Sequence, residues 1–90
     1  MTAEQKEIFR TALLRVLDER ASEKFGLSLV AVQIFLGQFG FRASKRDDVL
    51  AELQYLQDKN LVAPVGKTIS PENRCWRITA DGRDFLAQNE

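Results

Sequence analysis

The chain has 90 residues, 44% of them hydrophobic and 29% charged, and its thirteen basic and thirteen acidic side chains cancel. That length suits one domain with a modest core and leaves little room for a second domain or a large enclosed active site. Balanced charge argues against a strongly cationic, non-specific nucleic-acid binder, and no apolar run approaches the length that crosses a bilayer.

The spacing predicts a first helix over residues 4–22. Ile8, Ala12, Leu13, Val16 and Leu17 recur on one face, and Phe9, Leu14 and Ala21 widen it. Five basic and five acidic residues lie between Met1 and Gly26, so this region offers no net attraction to phosphate. A face this wide either packs only over its own domain or also joins a second copy, with Phe9 and Leu13 as the partner contacts. Gly26 is placed to end the helix, and Leu27 could add a short strand beside a later hairpin.

Ser28 is placed to cap a second helix over residues 29–36, Leu-Val-Ala-Val-Gln-Ile-Phe-Leu, in which polarity nearly disappears. Such a helix either sits centrally or gives one flank to a partner, and Val32 and Phe35, three apart, share that flank. Gly37 and Gly40 permit turns in the next connection, while Phe39 and Phe41 are expected to anchor it to the core.

A third helix is predicted over residues 44–59. Ser44 and Asp47 have capping-box spacing, and Val49, Leu50, Leu53 and Leu56 form an apolar stripe opposite Lys45, Asp48, Glu52, Tyr55 and Lys59. Asn60 suits a left-handed closing position. A short extended run through Pro64, a polar loop over residues 66–73 and the alternating segment Arg74-Cys75-Trp76-Arg77-Ile78 then read as a hairpin. Thr79 is placed to cap a last helix that tolerates Gly82 and turns Phe85 and Leu86 inward. No internal repeat, low-complexity tract or linker interrupts the span, which reads as one domain over residues 4–88.

The residue types carry little catalytic chemistry. Histidine is absent and Cys75 is the single cysteine, so an internal disulfide, a cysteine–histidine nucleophile and a cysteine-based structural zinc site are all excluded. Asp47 and Asp48 diverge on a helix instead of forming a paired acid and base, and no glycine-rich phosphate cradle is present. The expectation is a non-enzymatic chain without cofactor or metal. Its polar start, Thr2-Ala3-Glu4-Gln5-Lys6-Glu7, lacks the form of a secretory signal, so the expected location is cytoplasmic, with no membrane partner.

Two segments carry a resemblance. Val49-Leu50-Ala51-Glu52-Leu53 through Lys59-Asn60-Leu61-Val62, and Arg77-Ile78-Thr79-Ala80-Asp81-Gly82 through Phe85-Leu86, resemble the winged helix-turn-helix superfamily over residues 4–86. The resemblance implies an α+β domain in which helices pack with a small antiparallel β-hairpin. It also implies a DNA-associated or transcription-regulatory module, with the 44–59 helix in the major groove and the 66–73 wing on the backbone of double-stranded DNA. Carried over residue by residue, the DNA contacts are Arg42, Lys45 and Arg46 at the helix entrance, Lys67 and Arg74 around the wing, and Arg77 on the strand.

One feature opposes that role. Between Arg42 and Ile78 seven basic residues face five acidic ones, and Asp48 and Glu52 fall on the helical side expected to approach the groove. The alternative is therefore a winged-helix module that binds protein, either as a homodimer or with another partner, and Tyr55 joins the candidate partner contacts. Trp76 reads as a core anchor between Arg74 and Arg77 more readily than as a base-stacking residue.

Overall fold

The computed structural model describes residues 2–19, 26–41, 45–65 and 75–88. Among them are four α-helices and a three-stranded antiparallel sheet, a small α+β arrangement. The expected wing at 66–73, together with Arg42, Ser44, Lys67 and Arg74, lies outside the described residues.

Helix α1 spans Ala3–Glu19. Its start is fixed by a reciprocal capping box: the Gln5 amide donates to Thr2 Oγ1 at 3.1 Å, and the Thr2 amide donates to Gln5 Oε1 at 3.0 Å. The helix therefore begins one residue before the predicted boundary. Its buried residues, Phe9, Ala12, Leu13, Leu14, Val16 and Leu17, cover most of its circumference. Ile8, expected among them, is exposed.

Strand β1 is Leu27–Ser28, a two-residue segment. Gly26, at φ 72°, enters it so close to β3 that a Cβ would stand 2.5 Å from the Trp76 carbonyl oxygen. Helix α2 follows at Leu29–Leu36, and Ser28 Oγ accepts from the Ala31 amide at 3.2 Å as its N-cap. A 3-10 turn at Gly37–Phe39 leads out of it. Phe41 then meets Phe9 edge-on, with ring centroids 5.1 Å apart at 75°, and Phe39 and Phe41 both pack against the core.

Helix α3 is Arg46–Asp58. Lys45 stands at its N-cap in extended conformation and contributes no side-chain cap, so the helix opens two residues after the predicted Ser44 start. Val49, Leu53 and Leu56 face the core, with Leu50 partly buried beside them. The helix closes at Asn60, whose φ of 63° is the left-handed value an asparagine tolerates.

Strands β2, Val62–Val65, and β3, Cys75–Ile78, pair with Val62 opposite Ile78 and Pro64 opposite Trp76. Strand β1 pairs with the other side of β3, Leu27 opposite Trp76, so the order is β1-β3-β2. Pro64, which has no amide to donate, therefore sits on an edge strand. Alternation along β3 buries Trp76 and Ile78, exposes Arg77 and leaves the Cys75 thiol half-buried. Burying Trp76 or Phe9 contributes about 2–3 kcal/mol of hydrophobic stabilisation each.

Helix α4, Ala80–Gln88, is tied back to the α3–β2 corner. Thr79 Oγ1 donates to the Asn60 carbonyl at 2.7 Å and accepts from the Gly82 amide at 3.1 Å, while the Thr79 amide donates to the Leu61 carbonyl at 3.1 Å. Leu86 turns inward as expected. Phe85 does not: it is 36% exposed, because the core side of α4 is already taken by Gly82 and Leu86.

Candidate interaction surfaces

Among the described residues, three faces bear chemistry that a partner could use. The first is the solvent side of α3. Its buried residues lie at Val49, Leu53 and Leu56, so helical periodicity turns Asp47, Asp48, Ala51, Gln54, Tyr55 and Asp58 outward, and all six are exposed. Asp47 and Asp48 complement the positive end of the helix dipole. Lys45 and Arg46 are exposed immediately before them. Arg77 is exposed on β3.

Glu52 corrects one expectation. Its side chain is only 12% exposed, and it accepts from Arg10 Nε across the α1–α3 contact. Its charge is thus neutralised at the helix interface and does not add to the acidic outer face. The Arg10 guanidinium carbon also lies 3.7 Å above the centre of the Tyr55 ring, and Lys59 Nζ approaches the same ring at 5.8 Å. Tyr55, 39% exposed, is held in place by two cations and remains open to a partner on its outer edge.

The second face is a groove of about 880 Å³ between α1, α3 and α4. Its apolar lining includes Ile8, Phe39, Phe41, Leu61 and Phe85, and Glu7, Arg15 and Lys59 stand among the polar residues around it. Three large hydrophobic side chains with substantial exposure, Ile8, Tyr55 and Phe85, converge on this one depression from three helices.

The third face is the outer side of α2, where Val30 is 55% and Ile34 65% exposed one helical turn apart. The flank expected from sequence was a different one. Val32 is fully buried, as are Phe9 and Leu13 of α1, and Phe35 is half-buried against the core. No partner reaches Phe9, Leu13 or Val32 without opening the fold, because each points into the one shared core. The residues that do reach solvent are their neighbours Ile8, Val30 and Ile34. Periodicity marked these helices as apolar nearly all round, and the packing of the other elements decided which side was covered.

Among the described residues, no group of three His, Cys, Asp or Glu side chains could hold a metal ion, and no helix is long and apolar enough to cross a membrane. Comparison with protein-family models, with curated proteins and with solved structures gives no match for this chain.

Proposed function

We propose that the chain is a non-catalytic winged-helix binding module of the DNA-associated, transcription-regulatory kind. The observation that carries this reading is the order α1-β1-α2-α3-β2-β3-α4 with β1 laid against β3, together with the exposure of the outer residues of α3. Lys45 and Arg46 stand exposed at the entrance of α3, where phosphate would meet both cations beside the positive end of the helix. Arg42, Lys67, Arg74 and Arg77 extend the same role along the chain. Neutralisation of Glu52 by Arg10 removes one of the carboxylates that opposed it.

Anisotropy of a labelled mixed-sequence duplex, titrated from low to physiological salt, tests the proposal. Replacing Lys45 or Arg46 with alanine is expected to weaken binding about threefold each, to a similar degree on every sequence, and to lower the salt slope by about 0.9 per lost phosphate contact. Absence of binding at low salt overturns it.

A second reading is a winged-helix module that binds protein and not DNA. Two observations favour it: the carboxylates of Asp47, Asp48 and Asp58 on the outer side of α3, and the exposed Val30–Ile34 pair on a helix that carries no charge. Under this reading Lys45→Ala and Arg46→Ala leave partner capture unchanged, while Ile34→Asp abolishes it.

A further inference from the structure

We draw no further inference here: the strongest candidate, the apolar groove between α1, α3 and α4 on which Ile8, Tyr55 and Phe85 converge, carries nothing because nothing in the structure shows what covers it.

Discussion

Arg10 and Glu52 are 42 residues apart in the chain and meet side chain to side chain where α1 crosses α3. Arg10 does two things there: it neutralises a carboxylate that is largely withdrawn from water, and it covers the face of Tyr55. Removing the arginine loses both contacts and strands Glu52, whereas removing the glutamate leaves Arg10 stacked and still able to reach solvent.

Arg10→Ala is accordingly expected to cost about 2 kcal/mol and Glu52→Ala about 1 kcal/mol, the exposed fraction of each group keeping both values modest. A double-mutant cycle by urea denaturation should return a coupling of about 1 kcal/mol. Strict additivity of the two changes would mean the pair contributes nothing.

Thr79 joins the cap of α4 to the corner that ends α3, since one hydroxyl accepts from Gly82 and donates to Asn60. Thr79→Val keeps the shape and removes both bonds, with an expected loss of about 1–2 kcal/mol. In a domain of this size that lowers the melting temperature by roughly 4–8 °C per kcal/mol. Thr79→Ser retains both bonds and should stay close to the parent chain in a thermal melt.

Gly82 lies inside a helix, where replacing glycine by alanine ordinarily gains nearly 1 kcal/mol. Here a Cβ would run into the Leu61 carbonyl oxygen and stand 2.6 Å from Ile78 Cγ1. Gly82→Ala is therefore expected to destabilise by roughly 1–3 kcal/mol, because α4 must move off the β2 corner. Chemical denaturation reads the sign directly.

Thr2→Ala removes the α1 capping box at the chain's exposed start. The expected outcome is faster amide exchange over the first turn of α1 with little change in global stability, since the core contacts begin at Phe9. Loss of protection as far as Leu13 would show instead that the cap governs the whole helix.

The elements themselves were legible because their signals are local. Ser28 and Thr79 cap the helices they precede, Asn60 takes the left-handed conformation, and the leucine rhythm of α3 points inward. The Thr2–Gln5 box carries the same kind of local signal, a hydroxyl and an amide three residues apart. The candidate surfaces were less legible. Arg42, Lys67 and Arg74 lie outside the described residues, Lys45, Arg46 and Arg77 are exposed, and the expected partner contacts Phe9, Leu13 and Val32 are core residues.

By itself, the sequence determined which helices and strands form and in what order, since caps, turns and hydrophobic periods act between residues a few positions apart. It also excluded histidine chemistry and an internal disulfide. Only the tertiary structure decided which apolar residues are left in water and which charges are cancelled. Ile8 and Phe9 are adjacent and equally hydrophobic, yet one is exposed and the other fully buried, because the packing of α3, α4 and the Phe41 ring against α1 covers one direction and leaves the other open.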